Sequence, residues 1–234
     1  MRMHVLVLAE GALLCVAACA QHAEDDTFRY WKAVAERAKG DLAHGDATAR
    51  ELAAASIGAA IEQLVRPGGP PVPSAKVIDL FARTPPPRNE DRVALEGTRR
   101  TLVSSLLCVL ASALHDDAEA VRCSAMNSLV WIGVNASPAC AAIAAALADP
   151  SEKVRVIAAR AMYFVCSDPA TAVDNSLALM RSADAEVRWS AVHTIVQMGP
   201  AGARAMPTLE QLRNEDDSER VREHCDWALS RIRN

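Results

Sequence analysis

"DAEVRWSAV", residues 184–192, decides the fold because the chain writes it four times. "DAEAVRCSA" stands at 117–125, "DPSEKVRVIAA" at 149–159 and "DSERVREHC" at 217–225. The Val-Arg pairs at 121–122, 154–155, 187–188 and 221–222 lie 33, 33 and 34 residues apart. A period this regular marks a solenoid, in which no unit buries its apolar face alone and each buries it against the next.

Counted from each Val, the fourth following position holds Ala125, Ala158, Ala191 and Cys225. The eighth holds Leu129, Met162, Ile195 and Leu229, and the eleventh holds Ile132, Val165, Met198 and Ile232. On a helix these offsets fall within about 80° of one another, so each copy is predicted to be a helix with one apolar face. The small residue lets a neighbouring helix come close. Between the copies lie shorter helical patterns at 137–148, 169–181 and 201–213, so each repeat reads as a helix, an acidic turn and a Val-Arg helix.

Composition agrees with this. Hydrophobic residues make up 51% of the 234, but aromatics only 4%, so Ala, Leu and Val carry the core and closely packed helices are favoured over a sandwich. The net charge is −4 and no basic run of five or more occurs, which speaks against a duplex-binding surface and against nucleic acid as a partner.

The pattern resembles HEAT repeats, in the short bacterial form also found in phycobilisome lyase-type proteins. The resemblance covers about 105–232 well and reaches the N-terminal half through "GDATARELAAAS" (45–56), where Ala49-Arg50 stands as a worn Val-Arg. It implies an all-α protein, a right-handed α-solenoid of antiparallel helix pairs with an ARM-type superhelix. It also implies a structural ladder of acid and arginine along the array: Asp117, Asp149, Asp184 and Asp217 with Arg122, Arg155, Arg188 and Arg222. Asp149 departs from that register, lying five residues before its Val where the others lie three or four. The alternative is a set of solvated pairs, each contributing only about 0–1 kcal/mol.

Five segments follow from this reading. Residues 1–19 read as a lipoprotein signal peptide, because Val16-Ala17-Ala18-Cys19 resembles a lipobox with Cys19 as the lipidated thiol. Glu10 interrupts its apolar stretch, which leaves a differently processed secretory signal, or a cytoplasmic N-terminal helix, as alternatives. Residues 20–26 form a tether, 27–66 N-terminal helices that read as a degenerate repeat, and 67–91 a Pro-rich linker with a short helix. The array occupies 92–234. Seven cysteines occur without a C-x-x-C pair; small core filler is the expected role, with one disulfide or a metal site as alternatives.

Nothing in the sequence carries a catalytic motif: G-x-S-x-G, Walker A, G-x-G-x-x-G and H-E-x-x-H are all missing. A diiron hydroxylase among HEAT-like proteins uses His-Glu dipeptides, whereas this chain has only the reversed Glu223-His224. His193 and His224, at offsets +6 and +3, are expected to face different ways as ordinary boundary residues. No cofactor is expected.

The offsets +2, +6 and +9 point away from the apolar face and are unexpectedly apolar. Val130, Val156, Tyr163, Trp189, His193, Val196 and Trp227 are therefore expected to form a partner-binding groove on the concave side. A wide apolar arc needed by a helix with several neighbours, or cover by the N-terminal half, is the alternative. The expected function is a non-enzymatic scaffold for a protein partner, lipid-anchored in a bacterial cell envelope or else cytoplasmic. The rival is an enzyme or enzyme subunit of the phycobilisome (chromophore) lyase type.

Overall fold

The computed structural model describes residues 28–29, 31–65 and 92–233. The readings at 1–26 and within 67–91, Cys19 included, lie outside the described residues. The described chain is helical: α1 (31–44), α2 (Ala47–Val65), α3 (Arg92–Ala113), α4 (Glu119–Ile132), α5 (Cys140–Ala145), α6 (Glu152–Phe164), α7 (Pro169–Leu179), α8 (Ala185–Met198), α9 (Met206–Glu215) and α10 (Glu219–Arg233). No strand occurs among the described residues.

Local chemistry sets the helix ends. Ser151, Asp168 and Asp184 cap α6, α7 and α8 by accepting from the amides of Val154, Thr171 and Glu186, and Pro169 opens α7 where its missing N–H costs nothing. Gly133 ends α4 at φ 66°, in backbone space that a side chain would strain.

The Val-Arg helices α4, α6, α8 and α10 stack side by side in one layer, while α3, α7 and α9 back them in a second: an all-α solenoid. Every position of the predicted apolar face is buried. Ala125, Ala158, Ala191 and Cys225 are completely shielded, and the four Val residues nearly so. Helix α2 joins the same layer by packing on α4. That contact is close because Gly58 faces Ser128, where a Cβ would lie only 2.4 Å from the serine Cβ. Ser128 and Ser124 donate across the interface to the carbonyls of Ala54 and Glu51.

The acid–arginine ladder exists, in a register different from the one expected. Arg122 donates Nε and Nη2 to the two oxygens of Asp149 at 2.8 and 3.0 Å, and Arg188 does the same to Asp216 at 2.8 Å for both. Arg50 of α2 grips Asp116 at 2.8 and 2.9 Å, so Ala49-Arg50 makes the same contact across a much longer connection. Each of these carboxylates also accepts from a backbone amide two residues on, which shapes the turn that the preceding arginine holds.

The rung position is thus five residues before each Val: Asp116, Asp149, Ser182 and Asp216. Asp149 is regular, Asp217 joins its rung only beside Asp216, and Asp117 and Asp184 do not supply the carboxylates of the ladder. Asp117 contributes only its carbonyl, to Arg122; Asp184 caps α8; Asp217 is an exposed second acceptor for Arg188. Adjacent acids at 116–117 and 216–217 made spacing alone unable to tell which one turns inward. At the third turn Ser182 replaces the acid. Arg155 there pairs with Glu152 at 2.9 Å, and Ser182 donates to the other oxygen of Glu152. Arg222, on the last helix, donates to the Asp216 carbonyl.

Cysteine use divides. Cys225 is buried core filler at the small-residue position, as expected. Cys140 and Cys166, by contrast, are joined by a disulfide across 26 residues, tying the start of α5 to the turn after α6. One disulfide stood among the alternatives, but a 26-residue spacing that resembles no redox or metal motif does not identify which two cysteines pair.

Two predictions follow from these links. D149A leaves Arg122 buried without its partner, and should cost about 3–5 kcal/mol in urea denaturation, while D117A, at an exposed side chain, should stay within about 0.5 kcal/mol. Reducing the disulfide, or replacing both partners by Ser, should destabilise the chain by about 2–4 kcal/mol, read as a lowered melting temperature that the double variant reproduces without reductant.

Candidate partner-binding groove

The layer of Val-Arg helices presents a face away from the second layer, and the residues at +2, +6 and +9 lie there only in part. They do not form one continuous strip. Val156 and Val196 are buried, Val130, Tyr163, Trp189 and His193 are half-buried, and Trp227 is 46% exposed. Val156, Trp189 and His193 line a groove of about 470 Å³ between α6 and α8, together with Asn127, Lys153, Arg160, Glu186 and Ser190. Val130, Tyr163, Val196 and Trp227 lie outside that lining. Tyr163 instead meets Phe164 edge-on at 4.9 Å, and Val196 belongs to the core.

The groove opens where the ladder changes. The turn between α6 and α8 carries Ser182 in place of an acid, so no bidentate arginine rung clamps these two helices together. The flanking intervals have theirs, at Arg122–Asp149 and Arg188–Asp216.

At one end of the groove four rings stack. The Trp189 ring lies 5.2 Å from His193, nearly parallel to it, and 4.6 Å from His224; Trp227 closes the stack 5.1 Å from His224. The two histidines, expected to face different ways, meet with His193 Nδ1 and His224 Nε2 at 3.2 Å. Offsets within one helix do not predict this, because the residues sit on neighbouring helices and their meeting depends on how α8 packs against α10. One nitrogen donates and the other accepts, so the contact requires at least one neutral ring. The Arg220 guanidinium caps the stack 4.4 Å above Trp189 and pairs with Glu186.

The electrostatics follow from this enclosure. Burial pushes His224 down to about 4, with His193 and Arg220 adding repulsion. Burial and the nearby Arg160 also lower His193. Arg160, Glu186 and Arg220 are the residues that sequence reasoning missed. Arg160 stands at offset +6 from Val154, among the positions facing away from the apolar stripe, and that offset was the one signal that could have found it. Among the described residues no group of three or more His, Cys, Asp and Glu is placed to hold a metal ion. What the groove offers is flat aromatic surface beside cationic groups.

The titration yields a prediction. The unfolded chain protonates His224 near its ordinary 6.5 and the folded chain only near 4, so stability is intact above about pH 6.5 and is lost as pH falls towards 4. Allowing for the partial exposure of the ring, the loss should be about 1–2 kcal/mol, and H224Q should flatten it in urea denaturation at pH 7, 5.5 and 4.5.

Comparison with known proteins places the array. Residues 139–230 match the family described as HEAT repeats. Two solved structures of engineered proteins are similar to the chain. One has 17% identity and a TM-score of 0.43, covering 85% of this chain and 96% of the other. The second has 19% identity and a TM-score of 0.41, covering 86% of this chain and 58% of the other. No curated protein matches it significantly.

Proposed function

From a chain that carries HEAT repeats over residues 139–230, we propose a non-enzymatic scaffold that binds a protein partner on the face formed by its Val-Arg helices. The observation that carries this reading is the α6–α8 groove, where Trp189 and His193 stand half-exposed beside cationic side chains. Large rings held in a cleft by neighbouring helices are pre-organised, and such rings dominate binding energy at interfaces.

The scaffold is lipid-anchored through Cys19 in a bacterial cell envelope. The lipobox-like Val16-Ala17-Ala18-Cys19 supports this, and so does the Cys140–Cys166 disulfide, a bond that persists in oxidising compartments and is rare in the cytosol.

A photo-crosslinking amino acid at Ser190, inside the groove, should capture a protein partner in cells, whereas the same group at Ala178, exposed on α7, should not. W189S should weaken that capture by about tenfold or more, in the range of an interface hot spot. Capture from Ala178 alone would move the interface to the second layer. In cell fractionation the wild type should sediment with membranes, and C19S should leave that fraction or persist as an uncleaved precursor.

A further inference from the structure

The Val-Arg arginines Arg122, Arg155 and Arg188 are answered by acids. Arg122 and Arg188 hold bidentate carboxylates and Arg155 holds Glu152. Arg160, on the wall of the groove, is not. Its Nη2 donates to Asn127 Oδ1 at 2.5 Å, its Nε is shut off from solvent without an acceptor, and no carboxylate pairs with it among the described residues. Burial lowers its pKa with no acidic neighbour acting in the opposite direction, in contrast to Arg122 and Arg188, which their Asp partners raise. A partly buried cation without a counter-ion is destabilising.

The rest of the groove does not neutralise it. Lys153, exposed at the same cleft, has no ion pair among the described residues, and the charge of Glu186 is taken up by Arg220. The groove therefore keeps an excess of positive charge within a chain of net charge −4. Trp189 supplies an apolar wall beside that charge.

We propose that the α6–α8 groove recognises an acidic residue in a segment of the protein partner: Arg160 is the counter-ion for its carboxylate, Lys153 attracts it at the mouth, and Trp189 packs against a neighbouring apolar side chain. The proposal rests on the reading of this face as a protein-binding surface and names the chemistry of what it binds. A singly charged carboxylate suits one guanidinium with Glu186 close by, whereas a phosphate dianion calls for more donors and would be repelled by that acid.

The test selects phage-displayed random heptapeptides on the full chain and measures the recovered peptides by fluorescence anisotropy on wild type and R160M. The proposal expects an Asp or Glu at a fixed position beside an apolar residue, binding that weakens as salt rises, and affinity lower by about tenfold or more on R160M. R160M should melt at the same temperature as wild type or about 2–4 °C higher, because an unpaired buried charge has been replaced by an apolar chain of similar reach. Peptides without a fixed acid, or with equal affinity for R160M, overturn the carboxylate site while leaving the scaffold reading in place. A fall of several degrees in the melting temperature of R160M also overturns it, by making Arg160 a structural residue. Inorganic phosphate that binds in an Arg160-dependent way where acidic peptides fail would assign the site to phosphoryl groups instead. If no peptide is recovered, the carboxylate site falls; the scaffold reading falls with it only if crosslinking at Ser190 also captures nothing.

Discussion

The structure depends on a bidentate contact between the arginine of one Val-Arg helix and the carboxylate that shapes the turn before the next. A solenoid has no central core to fix the relative position of distant parts, so each interface must set its own register. Apolar stripes packed on Ala permit sliding, because methyl groups are interchangeable along a helix. A guanidinium gripping two oxygens does not slide, since a small displacement breaks both hydrogen bonds and strands two nearly buried charges. Arg50, Arg122 and Arg188 each impose that register on the following unit.

The interval without such a clamp carries the groove. Between α6 and α8 the acid has become Ser182, and Arg155 is satisfied within its own repeat by Glu152. The groove lies between those two helices, with Arg160 on one wall and Trp189 on the other. Stability and binding thus draw on the same residue type in opposite ways. Arginines that meet a carboxylate inside the chain hold the array together, whereas Arg160, on the groove wall, meets none among the described residues.

At the C-terminal end the ring stack of Trp189, His193, His224 and Trp227 does for α8 and α10 what small residues do at the other end, where Gly58 meets Ser128. One interface gains contact by close backbone approach and the other by wide aromatic area. The aromatic solution brings a dependence on pH with it, because two enclosed histidines resist protonation.

The sequence by itself determined the solenoid, because a helix buries one face and the period of that burial is written directly into the order of residues. The four Val residues, the small residue four positions on and the apolar residues at +8 and +11 are all buried where the periodicity put them. Contacts between repeats were decided only by the tertiary structure. Which of two adjacent acids, Asp116 or Asp117, turns towards the preceding arginine depends on where the neighbouring helix stands. So does the meeting of His193 with His224, and so does the pairing of Cys140 with Cys166. Arg160 shows the limit most clearly. In the sequence it is one charge among many on a helix, and its lack of a counter-ion emerges only when every side chain around it has been placed, because the absence of a partner is a property of the surroundings and not of the residue.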